Sequence, residues 1–374
     1  MNNQDTRYNN QIITRFRNWS LAIGICLVIV SWLLSIPAQS LELGGYYEND
    51  PLAVFRSTGG SPIIGDLNRF RLKIDQKFDP YWSFHIEPRY YYLAKSENIP
   101  LAGVTDIDKV AWDRYYAKFR SPLIALTVGK QRIAWGSGYI WNPTDIFNPF
   151  VLSFAVKEEE ESNVEALRVE VPIGERGGLD GYLLNDKKGI KVKGNAGKFD
   201  LSASFVDMGN GTSQIGFDSV GEVWGVGMRS EAAVKNNNIM QAVLGWDYTL
   251  DNGVGLNMEY LYNGAGKKNK NDYDWAGLAA GNIKQVGMDY LFFSANKQID
   301  EITGIRASML SNLDDSSWLF YPSYTRNISQ NVDLSLESML TFGSDGSEYK
   351  PGLSIDPTGF SGSMLGLVRL IWGF

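Results

Sequence analysis

The sequence GSMLGLVRLIWGF, residues 362–374, has the two-residue period of a β-strand up to its last position. One face of this predicted strand carries Met364, Gly366, Val368, Leu370, Trp372 and Phe374. A buried terminal strand of a soluble protein is the alternative, but its core would have to enclose the carboxylate that follows Phe374, which costs free energy. The stretch therefore predicts a strand that ends in contact with water.

The same period recurs along the chain after residue 40. It is clearest in LNRFRLKIDQKF (67–78), YWSFHIEPRYYY (81–92), KFDLSASFVD (198–207), VGLNMEYLY (254–262) and NVDLSLESMLTF (331–342). No segment after Pro37 approaches the length of apolar sequence that a membrane-spanning helix needs. The mean hydropathy of −0.20 fits a polar interior inside an apolar outer belt. We therefore predict an all-β fold, a single transmembrane antiparallel β-barrel.

The final strand resembles the last strand of Gram-negative outer-membrane β-barrels, whose C-terminal aromatic residue is recognised by the barrel-assembly machinery. The resemblance rests on Trp372, Phe374 and the alternation before them. It implies that these two residues form the barrel-assembly signal, and that the protein lies in the outer membrane of a Gram-negative bacterium. Outer-membrane lipid and lipopolysaccharide would then surround the barrel.

The first 40 residues have the pattern of a secretory signal peptide. Two arginines precede an apolar run from residue 21 to 37, and the small residues of Ala38-Gln39-Ser40 follow at the expected cleavage positions. We expect residues 1–40 to be removed and residues 41–374 to form the barrel. An uncleaved inner-membrane anchor is the alternative, because the apolar run nearly reaches spanning length.

Turn signals divide residues 41–374 into hairpins. Asp251-Asn252-Gly253 is a tight-turn sequence, whereas 263–282 and 344–360 are long polar segments. Short turns at one end and long loops at the other are typical of outer-membrane barrels. The pattern suggests seventeen candidate strands, but a single-chain barrel needs an even number. We expect about 16, with 14 or 18 as alternatives, because the strand count within 164–235 is ambiguous.

The stretch GKQRIAWGSGYIWNPTDIFNPF, residues 129–150, begins as a strand and continues as a loop, because glycines and prolines interrupt it. Its segments GKQRIAWG and NPTDIFNP resemble porin-like outer-membrane barrels, including general porins and alginate-export proteins. In general porins the third extracellular loop folds into the barrel and narrows it. The resemblance implies the same for 136–163, with the constriction formed by Tyr139, Trp141, Asp145 and Phe147.

Two other placements of this ring-rich loop stay open. It would also be stable packed on a neighbouring subunit or on lipopolysaccharide sugars, or it would form a site for a specific partner. The porin resemblance is compatible with a homotrimer.

Charged residues on the predicted lumenal faces fall into two groups. A basic wall on strands two to four consists of Arg69, Arg71, Lys73, Arg89, Arg114, Lys118 and Arg120. An acidic wall on the opposite side consists of Asp247, Glu259 and Asp289. Facing walls of opposite charge would create a transverse field that orients polar solutes. The alternative is that any water-filled lumen collects charged side chains.

Catalysis, cofactors and nucleic acid are not expected. His85 is the only histidine, and its context Phe84-His85-Ile86-Glu87 lacks the serine and asparagine that outer-membrane phospholipases carry there. Cys26, the only cysteine, lies inside the signal peptide, so the mature chain has no thiolate ligand, and no metal site or cofactor is predicted. The formal charge of −7 argues against binding to nucleic acid.

The sequence thus favours a porin-like channel for passive diffusion of small polar or charged solutes. The alternative is a structural or assembly barrel with a filled lumen, serving polysaccharide export or an electron conduit.

Overall fold

The computed structural model describes residues 41–56, 61–94, 107–147, 163–209, 211–236, 239–280, 282–350 and 363–374. The predicted signal peptide and residues 148–162 of the ring-rich loop lie outside these ranges. Among the described residues, no helix is long and apolar enough to cross a membrane.

Eighteen β-strands account for most of the described residues. They are β1 Leu41–Arg56, β2 Ile63–Lys77, β3 Trp82–Ala94, β4 Val110–Arg120, β5 Ala125–Gln131, β6 Val164–Ile173, β7 Gly177–Leu183, β8 Lys188–Ala196, β9 Phe199–Asp207, β10 Ser213–Val223, β11 Val226–Lys235, β12 Met240–Thr249, β13 Val254–Asn263, β14 Asp289–Asp300, β15 Thr303–Asn312, β16 Ser317–Ser329, β17 Val332–Phe342 and β18 Ser363–Gly373. A 3₁₀ turn, Lys270–Asp272, and a short helix α1, Trp275–Ala279, lie between β13 and β14.

The strands close into one antiparallel barrel. Each strand pairs with its neighbours in chain order, and β1 pairs with both β2 and β18. At the closing seam Val54 lies opposite Leu365 and Tyr46 lies opposite Gly373. Because the ring has no free edge, every strand finds a backbone partner on both sides, which is the condition for a sheet in hydrocarbon.

The expected number of about sixteen strands is wrong, and eighteen is correct. The ambiguous region contains more hairpins than expected, because LDGYLLND and KKGIKVKG belong to two strands, β7 and β8. The turn between them is closed by a hydrogen bond from the N–H of Leu184 to the carbonyl of Lys187 (2.9 Å). The number of strands is still even, as a closed antiparallel barrel requires.

The two ends of the barrel differ in the length of their connections. The terminal end, which carries Leu41 and Phe374, has turns of two to four residues, such as 224–225 and 250–253. The opposite end, named the loop end, carries the long connections 95–109, 132–163, 264–288 and 343–362. The predicted asymmetry between short turns and long loops is therefore present, and 132–163 is the third loop-end connection.

Side chains alternate between the lumen and the outer wall. On β2, Arg69 and Arg71 face the lumen and are buried, whereas Phe70 lies on the outer wall. A β-bulge between Glu87 and Pro88 breaks this alternation where β3 meets β4. Proline has no N–H to contribute to the ladder, so a bulge is a site that accepts it.

Large apolar side chains cover the outer wall. Exposed examples are Trp82, Phe84, Val128, Val192, Phe205, Phe217, Leu244, Met258, Phe293, Leu336 and Trp372. At the terminal end, Phe374 stacks on Phe70 with ring centroids 5.9 Å apart, and its backbone pairs with Gly45 in both directions at 3.1 Å. The predicted assembly signal thus lies at the seam where the barrel closes.

Gly45 generates a prediction about closure. A Cβ at this position would lie 2.3 Å from the carbonyl oxygen of Arg71 and 2.7 Å from the ring of Phe374. We expect Gly45→Ala to lower the free energy of unfolding by about 1–3 kcal/mol, because the neighbouring backbone must move. The control is Gly181→Ala on β7, where a Cβ meets no atom within 4 Å. Equal urea midpoints for the two variants in detergent micelles would contradict the prediction.

Candidate functional site

Residues 132–147, here named the strap, leave the loop end of β5 and run against the inner wall of the barrel. The strap contains no helix or strand, since glycines and Pro143 interrupt it. Asp145 holds its two arms together: Oδ2 accepts the N–H of Trp135 (3.1 Å) and Oδ1 accepts the N–H of Phe147 (3.0 Å). Asp145 was expected at a constriction rim, and both of its oxygens serve the strap's own shape.

Glu231 on β11 fixes the first part of the strap to the wall. This buried carboxylate accepts the N–H groups of Ser137 (2.9 Å) and Thr144 (2.6 Å), with a longer bond from Gly138 (3.4 Å). Backbone N–H groups that converge on one anion satisfy its charge without a cation. The carboxylate therefore determines where the strap backbone lies.

Glu259 on β13 fixes the next part of the strap in the same manner. Its oxygens accept three consecutive backbone N–H groups, from Tyr139 (2.5 Å), Ile140 (3.1 Å) and Trp141 (2.8 Å). Glu259 is fully buried. Hydrogen bonds to an ionised acceptor are about twice as strong as neutral ones. The two glutamates together hold six N–H groups of the strap.

Glycine permits this close approach at two points. Gly136 has a φ of +92°, and a Cβ there would lie 2.5 Å from an oxygen of Glu231. On the wall, a Cβ at Gly216 of β10 would lie 2.6 Å from Cγ2 of Thr144. A side chain at Gly136, or one at Gly216 facing an intact Thr144, would push the strap away from the wall.

One side of the strap packs against β12–β18 and β1. Tyr139 stacks on Phe292 with centroids 5.6 Å apart, and Trp141 lies beside Tyr290 at 6.0 Å. These rings belong to the first apolar cluster, whose buried members are Leu52, Val54, Trp141, Val243, Leu261, Tyr290, Phe292, Leu310, Leu319, Met339, Leu365 and Leu367. The loop-end half of this inner wall is therefore apolar.

The other side of the strap packs against β6–β9. Trp135 meets Phe147 and Tyr182 edge-on, each at 5.1 Å between centroids. The second apolar cluster consists of Ile133, Trp135, Phe147, Ala166, Tyr182 and Val206. The contacts of the strap therefore follow the inner wall from β6–β9, past Glu231 on β11, to Glu259 on β13 and Phe292 on β14.

All seven residues of the predicted basic wall lie on lumenal faces of β2, β3 and β4. Five of them lie within 4 Å of an acidic side chain. Arg71 pairs with Glu87 (2.9 Å) and Asp113, and Arg89 also pairs with Asp113. Glu87 further approaches Arg114 (3.6 Å) and Lys73 (3.9 Å), and Arg69 pairs with Glu48 (3.2 Å). Positive charge on this wall is thus largely compensated in its loop-end half.

The remaining two members, Lys118 and Arg120, lie nearer the terminal end. The strand register places Lys118 beside Thr127 of β5, and Thr127 beside Arg168 of β6. Arg120 is exposed. The basic character that reaches the open lumen is therefore concentrated at the terminal end.

The predicted acidic residues have three different environments. Asp247 faces the lumen on β12 and pairs with Arg229 (2.9 Å), whereas Glu259 lies beneath the strap. Asp289 is on the outer wall, where it accepts the hydroxyl of Tyr260 at 2.5 Å. The structure therefore does not bring these three carboxylates together on one lumenal surface.

Sequence patterns missed several lumenal acids. Glu231 lies in a strand of small residues, RSEAAVK, whose alternation is faint. Glu48 and Asp50 occur in Glu-Asn-Asp-Pro, which resembles a turn but lies within β1. Both acids bind Arg369 of β18, at 3.4 and 3.0 Å, and Arg369 also pairs with Glu337 (3.2 Å). The contacts of Arg369 with Glu48 and Asp50 join residues more than 300 positions apart, which no local pattern predicts.

Three loops join above the first apolar cluster in what we name the loop-end cap, residues 264–280, 282–288, 313–316 and 343–350. Glu348 is its centre, because its carboxylate accepts the hydroxyl of Tyr290 (2.7 Å) and the side-chain amide of Asn312 (2.8 Å). Burial raises the pKa of Glu348 to about 7, and the nearby Asp315 carboxylate adds to this increase. Asp315 in turn accepts the N–H of Glu348 at 2.7 Å.

Comparisons with known proteins agree with this architecture. No protein-family model and no curated protein matches the chain. Among solved structures, a double mutant of OccD1 (OprD) superposes with a TM-score of 0.60 at 8% identity, covering 90% of this chain and 96% of that chain. A triple mutant of Rh. blastica porin superposes with a TM-score of 0.50 at 13% identity, covering 90% and 100%. At these identities the likeness establishes the fold, a porin-like β-barrel.

The glutamate contacts generate a prediction about the strap. Glu259→Ala leaves three buried N–H groups without an acceptor, which costs docking about 3 kcal/mol and raises the undocked population about a hundredfold. Hydrogen exchange at the amides of residues 139–141 should accelerate accordingly. The matched control is Asp247→Ala, which removes a lumenal acid bound to Arg229 instead of the strap. The interpretation fails if both variants leave exchange at these amides unchanged.

The raised pKa of Glu348 generates a second prediction. An acid whose pKa is raised by folding stabilises the folded protein while the acid is protonated. The contribution of Glu348 to the free energy of unfolding is therefore complete below pH 4.5, its pKa in the unfolded chain, and is lost as pH rises towards 7. Protection factors of the cap amides should fall over this window, by at most about tenfold per pH unit, and level off above it. In Glu348→Gln this dependence should vanish. An identical slope in both proteins would exclude Glu348 as its source.

Proposed function

We propose that this chain is an outer-membrane channel of a Gram-negative bacterium, through which small polar or charged solutes diffuse passively. The observation that carries the proposal is the strap, which lies against the inner wall of a porin-like barrel and is held at Glu231 and Glu259. In this proposal residues 1–40 are a cleaved signal peptide, and the loop 136–163 forms the constriction. The barrel-assembly machinery inserts residues 41–374 into lipid and lipopolysaccharide.

The solute path lies beside the strap, along the β2–β5 side of the lumen. Its wall carries charged side chains at successive heights, from Arg69 through Arg71 and Lys73 to Lys118 and Arg120. Side-chain exposure supports an opening towards the terminal end, since Arg71 is 2% exposed and Lys73 is 48% exposed. Lumenal charges of this kind select polar solutes and disfavour apolar ones. The basic residues opposite Asp247 are proposed to provide the orienting field.

The absence of enzymatic function is part of the same proposal. The similar solved structures are porins, and porins are channels. His85 is held between Asp75 (2.8 Å) and Glu87 (3.3 Å) and stacks on Tyr116 at 4.9 Å. These contacts support a role in the lumenal charge network.

A second candidate function is a structural or assembly barrel with a filled lumen. One observation favours it: apolar clusters pack on both sides of the strap, as they would in a permanent plug. The two candidates differ in whether ions pass through the barrel, so conductance separates them.

The deciding experiment is single-channel recording of residues 41–374 refolded into a planar bilayer. We expect steady openings, with a conductance several-fold larger in a variant that lacks residues 139–147. A silent wild type with a conducting deletion variant would identify the strap as a gate. If both proteins fold and neither conducts, the channel proposal fails and the filled barrel replaces it.

A cysteine pair provides a test of strap position within one protein. A Cβ at Gly216 would lie 3.2 Å from Cβ of Thr144, close to the separation in a disulfide. The protein to be measured carries Thr144→Cys and Gly216→Cys together with Glu231→Ala and Glu259→Ala. When it is oxidised, the disulfide should hold the strap in place and preserve the wild-type conductance. Reduction of the same sample should then raise conductance several-fold. Equal conductance in both redox states would contradict a constriction set by the strap.

A further inference from the structure

The lumenal face of β5 consists of small side chains. Ala125, Thr127 and Gly129 succeed one another along it, and Ala125 and Thr127 are buried. The flanking strands β4 and β6 carry long side chains at the same heights, so this face forms the floor of a trough, here named the β5 groove. Because the strap leaves β5 at residue 132, the groove lies between the strap and the terminal end of the barrel.

Three cations border the β5 groove. In the strand register Thr127 stands between Lys118 of β4 and Arg168 of β6, and Ala125 stands beside Arg120 of β4. Neighbouring strands are about 4.8 Å apart, so side chains from β4 and β6 start about 10 Å from each other across the groove. Lysine and arginine side chains are long enough for one anion above the floor to be bound from both sides.

Two of these cations have no acid bound to them. The side chains of Lys118 and Arg120 make no hydrogen bond or ion pair with the residues that the structure describes. Glu170 is the acid whose charge reaches Lys118, but this carboxylate is bound to Arg168 at 2.8 Å. Arg120 is exposed and Lys118 is partly exposed, so both are open to a solute. Like charges at neighbouring positions repel each other unless an anion compensates them.

Arg168 contributes a guanidinium whose donors are not all used. Its Nη2 binds Glu170 (2.8 Å) and approaches Asp180 (3.5 Å), whereas its Nε has no hydrogen-bond partner among the described residues. The ring of Tyr182 lies beside it, 5.6 Å from the guanidinium carbon, and limits its rotation. An oxyanion that binds through two oxygens would give Nε an acceptor, in the paired geometry that arginine and carboxylates favour.

The charge of the groove determines the chemical class of its ligand. Lys118, Arg120 and Arg168 outnumber Glu170, and Asp180 on the next strand is shared with Lys193. The excess is positive, so an uncharged sugar would leave these cations without a counter-charge. A carboxylate or phosphate group supplies both the charge and the oxygens that arginine binds in pairs. Water around the exposed Arg120 weakens the attraction, as release of a transported solute requires.

We propose that the β5 groove is an oxyanion-binding site, in which Lys118, Arg120 and Arg168 hold the carboxylate or phosphate group of a small solute. The inference rests on the channel function proposed above and names the solute class of that channel. The site lies past the strap, on the way to the terminal end. It is separate from the loop-end half of the basic wall, where Arg71 and Arg89 are already bound to acids of the protein.

The test is binding of two probes, inorganic phosphate and carboxyl-labelled acetate, to refolded residues 41–374 in dodecyl maltoside micelles. This detergent contains neither group. The line widths of the phosphorus and carbon NMR signals report the bound fraction of each probe without any need for ion current. Wild type should broaden the signal of at least one probe, and competition between the two identifies the preferred group. A wild type that broadens neither signal overturns the proposal.

Two variants separate a built site from the general charge of the lumen. Lys118→Gln removes an unbound cation, and Ala125→Leu fills the floor of the groove without changing any charge. Each should lower the affinity for the probe about tenfold, because hydrogen bonds to a charged group are lost. The matched control is Arg229→Gln, which removes one lumenal cation bound to Asp247 (2.9 Å) on the β11–β12 wall and should bind the probe as wild type does. Far-ultraviolet circular dichroism establishes that all variants are folded.

Two results with folded variants would overturn the proposal. One is unchanged binding in Lys118→Gln, and the other is an equal loss of affinity in Lys118→Gln and Arg229→Gln, which would mean that diffuse lumenal charge attracts the probe. Unchanged binding in Ala125→Leu would likewise exclude the groove floor as the place of contact. Conductance of the same samples keeps the two proposals apart. A silent barrel that binds the probe contradicts the channel alone, and a conducting barrel that binds neither probe contradicts the oxyanion site alone.

Discussion

Closure of the sheet between β1 and β18 is the constraint from which the remaining features follow. Once the ring is closed, each strand has hydrogen-bond partners on both sides, and alternation between the bulges assigns strand residues to the lumen or the outer wall. Arg369 of β18 then lies beside Glu48 and Asp50 of β1, although most of the chain separates them. This part of the lumenal charge network is thus a product of closure, because the pairs of Arg369 with Glu48 and Asp50 form between strands that only the complete ring brings together.

The interior that closure creates is chemically divided. Towards the loop end, apolar side chains from eleven strands converge on the aromatic rings of the strap. Along β2–β4 the same interior holds charges at high density, compensated pair by pair. A strap between these surfaces is pulled towards the apolar walls by burial of its rings and fixed by anions that accept its backbone N–H groups. Packing and polar contacts therefore favour the same position.

The fold class was predictable from sequence because alternation and hairpin turns are local properties. The strand count was missed where the local signal is weak, in short strands such as β7 and β8 with many glycines and lysines. The inward position of Tyr139 and Trp141 followed from their ring content and from resemblance. Their partner Glu259 was predicted to face the lumen, but its role was not, because its contacts lie about 120 residues away in the chain. Asp289 was misplaced because a long connection obscures where β14 begins and so which face its first residue occupies.

The two glutamates attach the strap through its main chain, so these hydrogen bonds do not depend on the identity of the side chains at the same positions. Glu231 and Glu259 bind peptide N–H groups, which every residue except proline possesses, so these hydrogen bonds place few demands on side-chain identity outside the glycines, whereas the apolar clusters require the rings. The strap is in this sense an interchangeable insert: another sequence that keeps the glycines and the buried rings would dock on the unchanged barrel through the same six N–H groups.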